Sequence, residues 1–133
     1  MVHAKLNAQA AHILRESGGI SLLQWRIIAL VRVFGPAVSS TEIIDIIGID
    51  KGLFSRTVKN LVEAGLVRGD TDADDHRRTL LTLSPAGEKI YQGAVPIVRQ
   101  RQQHLLHNLN DEEFSALKET LDKILVNAER RSF

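Results

Sequence analysis

The sequence contains no cysteine among its 133 residues, and it has only three prolines, one tryptophan and one tyrosine. Without thiols, the chain has no disulfides, thiolate zinc sites, cysteine nucleophiles or thiol redox sensors. Charge of one sign is lacking as well, because 17 Lys and Arg stand against 16 Asp and Glu. Whole-molecule charge therefore does not indicate a nucleic-acid partner, and any basic binding surface must be local.

Long hydrophobic runs are also missing, because no stretch approaches the roughly 20 apolar residues that cross a bilayer. Met1 to Lys5 leads into amphipathic sequence rather than into the apolar core of a secretory signal. We therefore expect a cytoplasmic protein without a membrane segment. The content of 44% apolar and 25% charged residues is typical of a globular chain, and the length predicts one domain-sized unit, 1–133.

Apolar periodicity and capping residues predict six helices. They run through Leu6–Leu14, from Ser21 to Phe34, from Ser39 to Ile47, from Asp50 to Ala64, from Ser84 to about His107, and from Asn110 onward. Between the fourth and fifth helices, Leu66-Val67-Arg68 and Thr79–Leu83 predict two short strands around the turn-prone residues Asp70–Asp75. A short turn separates the third and fourth helices, so the pattern predicts a mainly α fold with a winged helix-turn-helix.

The fourth helix carries the local concentration of positive charge. Lys51, Arg56, Lys59 and Arg68 stand against the single anion Glu63 in this stretch. Arg pairs with guanine and Asn with adenine in the major groove of DNA, which makes Arg56 and Asn60 suitable base-reading residues. The alternative is an ordinary solvated helix face, but the position of this helix, second in a helix-turn-helix, favours DNA.

Metal and catalytic sites are not expected. Asp70-x-Asp72-x-Asp74 resembles the start of a calcium loop, but Asp75 stands where that loop needs glycine and Leu81 where it needs glutamate. His104 and His107 have no third ligand at a suitable spacing. Phosphate-binding glycine loops, nucleophile elbows and paired catalytic carboxylates are absent from the sequence, so we expect neither an enzyme nor a bound cofactor.

The sequence resembles the MarR family of bacterial transcription regulators over roughly Leu14 to Tyr91. The matching segments, in order, are Gln24-Trp25-Arg26, Ser40-Thr41-Glu42-Ile43, Gly48-Ile49-Asp50-Lys51, Ser55-Arg56, Leu61, Gly65-Leu66-Val67, Asp75-His76-Arg77 and Leu83-Ser84-Pro85-Ala86-Gly87. The spacing of these segments taken together is far more specific than any one of them.

This resemblance implies a homodimeric repressor that binds a pseudo-palindromic operator in double-stranded DNA and is released by a small-molecule effector. Residues 21–83 would form the DNA-binding part, and residues 1–17 with 86–133 the helical dimerisation part. DNA contacts are expected from Ser40, Thr41, Lys51, Ser55, Arg56, Lys59, Asn60, Arg77 and Arg78. The effector is expected near Arg15 and Trp25, and dimer contacts from Leu6, Ile13, Phe114, Leu117, Leu121 and Ile124.

The hairpin departs from the family pattern. Gly69 stands where relatives commonly carry arginine, and Asp70, Asp72, Asp74 and Asp75 oppose the two wing arginines. Asp75 is expected to position Arg77, unless the two form only a surface ion pair. An acidic wing weakens the case for DNA, so the alternative is a winged-helix protein-interaction module, such as an anti-repressor or adaptor, that does not read DNA.

Overall fold

The computed structural model describes residues 1–129 and contains all six predicted helices. The helices are α1 (Val2–Gly18), α2 (Leu22–Phe34), α3 (Ser40–Ile47), α4 (Lys51–Glu63), α5 (Pro85–Leu106) and α6 (Asp111–Glu129), and the strands are β1 (Val38–Ser39), β2 (Val67–Thr71) and β3 (Thr79–Leu83). The chain forms two compact units, Met1–Val98 and the part that begins at Arg99, and the boundary falls within α5.

Capping groups fix the helix-turn-helix, as the sequence predicts. The Ser39 backbone N–H donates to Glu42 Oε2 at 3.1 Å, and the Thr41 N–H donates to Ser39 Oγ at 3.3 Å, which closes the capping box of α3. Gly48 ends α3 with a left-handed φ of 69°. Asp50 then starts α4 by accepting the Leu53 N–H at 3.0 Å.

The core of the first unit is built around α2. Ile27, Ile28 and Val31 are almost completely buried. They form one cluster with apolar side chains from α3, α4 and all three strands. The other buried members are Val38, Ile43, Phe54, Leu61, Val67 and Leu81. This packing holds α3, α4 and the sheet against the same helix. The predicted inward stripe of α4 is confirmed at Phe54 and Leu61, while Val58 is half-buried.

The sheet has three antiparallel strands in the order β1-β3-β2, whereas the sequence predicts two. The additional strand, β1, pairs Val38 with Leu81 and Ser39 with Leu80. The predicted bounds of β2 were also wrong, because Gly69 to Thr71 continue the ladder as far as the Thr71–Thr79 pair. Pairing with β3 outweighs the weak intrinsic strand preference of glycine and aspartate there.

A tight corner joins the hairpin to α5. Ser84 Oγ lies 2.6 Å from the Gly65 carbonyl oxygen and 3.0 Å from that of Leu66, and it accepts the Gly87 N–H at 3.0 Å. A Cβ atom on Gly87 would lie 2.0 Å from the Leu66 oxygen. Only glycine allows this approach of α5 to the start of β2, because no other residue lacks the Cβ atom.

The second unit contains the end of α5 and α6. The predicted capping box of α6 is confirmed, because the Asn110 N–H donates to Glu113 Oε2 at 3.0 Å and the Glu113 N–H donates to Asn110 Oδ1 at 2.9 Å. None of the residues of α6 is buried. Its apolar side chains are therefore left exposed.

Within residues 1–129, no single helix is long and apolar enough to cross a membrane. The pair α1 and α2 reaches that length and hydropathy only together, with a bend of 78° between the two helices.

The corner at Gly87 gives a stability prediction. Gly87→Ala should lower the free energy of unfolding by about 2–3 kcal/mol, because the new methyl group overlaps a backbone carbonyl that a rotamer change cannot move. Gly93→Ala in the same helix is the matched control, because its Cβ meets nothing within 4 Å. This control should be neutral or stabilising by up to about 1 kcal/mol. Urea unfolding measures both variants, and equal midpoints would contradict the corner's role.

Candidate nucleic-acid interface

The exposed face of α4 carries the residues expected to read DNA. Ser55, Arg56, Lys59 and Asn60 are all exposed, opposite the buried side chains of the same helix, and Lys51 is exposed in its first turn. Within residues 1–129, no hydrogen bond or ion pair engages the side chains of Arg56 and Asn60. Their donors and acceptors are therefore available to a ligand outside the protomer.

Lys59 has an internal partner of modest strength. Its Nζ lies 3.8 Å from Glu63 Oε1, one turn further along α4, and both side chains are more than half exposed. An exposed pair of this kind contributes less than about 1 kcal/mol. A phosphate group could therefore replace Glu63 at little cost, because the pair loses only a weak and solvent-screened attraction.

Ser40 and Thr41 have different surroundings at the start of α3. Ser40 is half-buried, and its Oγ donates to the Thr79 carbonyl oxygen at 3.0 Å. This bond ties α3 to the end of the wing. Thr41 is exposed, and its backbone N–H is already used in the α3 cap. Thr41 therefore offers its hydroxyl to a ligand, while Ser40 braces the hairpin.

The wing is the hairpin of β2 and β3, and hydrogen bonds connect the residues of the turn between these two strands. The Asp72 N–H donates to the Arg78 carbonyl oxygen, and the Arg78 N–H donates to that of Asp75, both at 2.9 Å. Asp75 also accepts the Arg77 N–H at 3.0 Å, so it positions the backbone of Arg77. Within the part of the chain that the structure describes, no ion pair joins the Asp75 and Arg77 side chains.

The two wing arginines differ in their electrostatic partners. Arg78 lies 4.0 Å from the Asp72 carboxylate, whose side chain is only 15% exposed, so its charge is partly compensated inside the wing. Arg77 is exposed and keeps its full charge available. The wing therefore presents Arg77 outward, together with the exposed Arg68 of β2, in spite of its four aspartates.

A cavity of about 460 Å³ lies in the first unit beside Trp25. Its wall is formed by His3, Trp25, Arg26, Ala29, Leu30, Ile46 and Ile47. An Arg26 guanidinium nitrogen donates to Asn7 Oδ1 at 3.0 Å, and Asn7 Nδ2 lies 3.0 Å from His3 Nε2. The lining thus combines apolar side chains with an arginine and a histidine. This combination suits a small molecule that has an apolar body and a negatively charged group.

The expected effector residues do not lie together in this wall. Trp25 lines the cavity, but Arg15 is exposed in the last turn of α1 and is not part of the lining. Nothing in the sequence connects His3, Arg26 and Ile46, because they come from three helices that only the tertiary fold brings together. Sequence reasoning therefore found one wall of the cavity and missed the others.

The residues expected at a dimer interface are mostly exposed in the protomer. Leu6 is 38% exposed, whereas Ile13 packs beside the buried residues Leu14 and Ala94. The α6 members are exposed by 42–58%, namely Phe114, Leu117, Leu121 and Ile124. An apolar stripe this open costs solvation free energy unless another surface covers it.

Residues 18–78 match the sequence profile of the MarR family. Over this range the chain is similar to that family. A structure of a MarR/EmrR family transcriptional regulator from Acinetobacter sp. ADP1 has 28% sequence identity and a TM-score of 0.88, and the match covers 97% of this chain and 90% of that one. The winged helix-turn-helix fold predicted from the sequence is thereby confirmed.

Two further proteins extend this comparison. The uncharacterized HTH-type transcriptional regulator YwoH of Bacillus subtilis is 28% identical over 113 residues, which cover 85% of this chain and 81% of that protein. A structure of the S. aureus MepR–DNA complex shares the fold with a TM-score of 0.84 at 22% identity, covering 97% of this chain and 92% of that one.

Proposed function

We propose that this protein is a MarR-type transcriptional regulator that binds duplex DNA through α4. The observation that carries the proposal is the exposed donor face of α4, on which Arg56 and Asn60 have no partner among residues 1–129. In a helix-turn-helix the second helix enters the major groove, where these two side chain types read base edges. Lys51 and Lys59 would contact phosphates, and Thr41, Ser55, Arg77 and Arg78 would add contacts from α3, α4 and the wing.

The proposal includes a homodimer on a pseudo-palindromic operator. Residues 21–83 would bind DNA, while residues 1–17 and 86–133 would pair with a second copy through the open stripe of α6. A two-fold dimer presents its two recognition helices about one helical turn of DNA, roughly 34 Å, apart. A cytoplasmic location without catalytic activity belongs to the same proposal, because the donor-rich face of α4 suits DNA.

Repression with release by a small molecule completes the proposal. The cavity beside Trp25 is the candidate effector site, because it combines apolar walls with the donors of Arg26 and His3. An effector that binds better to a dimer whose recognition helices do not match the spacing of the two half-sites would shift the population away from DNA. Arg15 lies outside this lining, so it is not part of the candidate effector site.

The acidic wing supports a second candidate, a protein-interaction module that does not read DNA. Gly69 supplies no cation on β2, and Asp72 already engages Arg78. Both readings use the same fold, so direct measurement of DNA binding separates them.

The test of the proposed function is selection from randomised duplex DNA, followed by affinity measurement at two salt concentrations. We expect an enriched inverted repeat and an affinity that falls steeply with salt, because cations on α4 displace counterions from phosphates. A folded dimer that enriches no sequence would contradict the proposal and favour the protein-interaction module.

Two substitutions on α4 should have different effects on the selected operator. Arg56→Ala should weaken specific binding by about 1–3 kcal/mol and relax the sequence preference, because it removes a base contact. Lys59→Ala should weaken binding to all sequences and reduce the salt slope by about one unit. Lys118→Ala, on α6, is the control and should change neither quantity. An equal loss for Arg56→Ala and Lys59→Ala on every sequence would refute this division of roles.

Leu121→Asp tests the dimer. The substitution places a charge without a partner in the α6 stripe, which a covering subunit would have to desolvate. We expect light scattering to give the protomer mass for this variant and twice that mass for the original protein. Lys123→Asp adds the same side chain on the opposite face of α6 and should remain a dimer. A dimeric Leu121→Asp variant would show that α6 is not the interface.

A further inference from the structure

A continuous line of side chains runs along the contact between α2 and α5. The rings of Trp25 and Tyr91 are stacked, with centroids 5.6 Å apart and an angle of 13° between their planes. The Arg32 guanidinium carbon lies 5.8 Å from the centre of the Tyr91 ring. Arg32 Nε lies 2.9 and 3.1 Å from the two carboxylate oxygens of Glu88. We call these four residues the α2–α5 chain.

The α2–α5 chain connects parts of the protein that otherwise pack separately. Trp25 packs beside the small cluster of Leu14, Ile20 and Ala94, while Tyr91 packs against the main core around α2. Trp25 and Arg32 are two turns apart on α2, about 10 Å along its axis. Tyr91 bridges that separation from α5. A displacement of one ring therefore requires a displacement of the other, because stacked rings in a packed setting have few alternative arrangements.

Trp25 is also a wall of the cavity beside α1 and α3. A molecule in that cavity would contact the indole ring, which stacks on Tyr91 of α5. At the other end, Gln92 Nε2 donates to Glu88 Oε1 at 2.7 Å, and this bond together with Arg32 lowers the pKa of the Glu88 carboxyl. Glu88 therefore stays ionised at neutral pH and keeps its ion pair with Arg32.

We propose that Tyr91 and Arg32 are positioning residues that couple occupancy of the Trp25 cavity to the position of α5 on the DNA-binding part. The inference rests on the proposed function, since it concerns how an effector site acts on DNA binding. Neither residue touches the cavity or the exposed α4 face, so each acts through its neighbours. The cation–π contact and the ion pair are individually weak, at about 1 kcal/mol or less when exposed, which suits a link that a ligand must be able to displace.

Tryptophan fluorescence tests the contacts of the α2–α5 chain without DNA or an effector, because Trp25 is the only tryptophan in the sequence. Arg32→Gln removes both contacts of the guanidinium, none of which involves Trp25 directly. We expect this substitution to change the emission and the acrylamide quenching of Trp25. The same substitution in a Tyr91→Leu background should cause no further change. Lys118→Gln, which removes an exposed cation on α6, is the control. Emission of Arg32→Gln identical to that of the original protein would overturn the proposal.

DNA affinity tests the regulatory consequence. Ala29→Leu enlarges a side chain of the cavity wall and imitates an occupant without requiring that the effector be known. We expect Ala29→Leu to weaken operator binding about tenfold in the original protein, within the usual range of coupling between sites. When Ala29→Leu is combined with Tyr91→Leu or with Arg32→Gln, the loss of operator affinity should be under threefold. Tyr91→Phe keeps the ring, so in that background Ala29→Leu should again weaken binding about tenfold.

Each outcome of the affinity experiment decides one question. An equal loss from Ala29→Leu in all backgrounds, or no loss in any, would overturn the coupling. The Arg32 side chain is half-exposed, so Arg32→Gln should not disturb the packing of the core. This variant therefore tests the coupling even if Tyr91→Leu causes a packing defect. An original protein that binds no DNA would refute the proposed function, and the fluorescence experiment would still decide whether the chain exists.

Discussion

The approach of Gly87 to the Leu66 carbonyl oxygen is the constraint on which the arrangement of the first unit depends. A Cβ at position 87 would overlap that oxygen, so α5 starts where glycine alone fits. Ser84 reinforces the same point by reaching two carbonyl groups and capping Gly87 with one hydroxyl. The end of α4, the start of β2 and the start of α5 are therefore held together by short contacts between backbone groups.

This constraint gives the α4 face and the start of α5 a common reference. The inner side of α4 packs on α2 through Phe54 and Leu61, and the first turns of α5 meet α2 through Glu88 and Tyr91. A change at the contact of α2 with α5 thus acts on the same body that presents Arg56 outward. The proposed regulation needs no long path, because one helix contacts both the cavity and the core beneath α4.

Electrostatics divides the candidate interface unevenly. The chain is nearly neutral, yet α4 presents cations with weak or no internal partners, while the wing compensates Arg78 with Asp72. Under the proposed function, the phosphate attraction comes from α4 and from Arg68 and Arg77 of the wing. The wing's aspartates would repel phosphate and so reduce the contribution of the hairpin to DNA binding.

Local signals in the sequence predicted the ends of α2, α3, α4 and α5 to within a residue or two, whereas α1 extends beyond the predicted Leu6–Leu14 stretch at both ends. The Ser39–Glu42 and Asn110–Glu113 pairs act over three residues, so the capping boxes could be read directly. The two residues of β1 were missed because a strand so short has no periodicity, and its partner β3 lies about 40 residues away. For the same reason the predicted strand stops at Arg68 and the predicted turn begins at Asp70, since the strand conformation of Gly69 and Asp70 depends on β3.

The sequence by itself determined the six helices, their caps, the inward and outward faces of α4 and the winged helix-turn-helix order. These features depend on interactions between residues that are a few positions apart, where spacing alone decides which side chains meet. Only the tertiary structure decided that Arg32 meets Glu88, 56 residues further along the chain, that Tyr91 stacks on Trp25, and that His3 shares a cavity with Ile46. Such contacts depend on how the helices pack, and no local pattern encodes that arrangement.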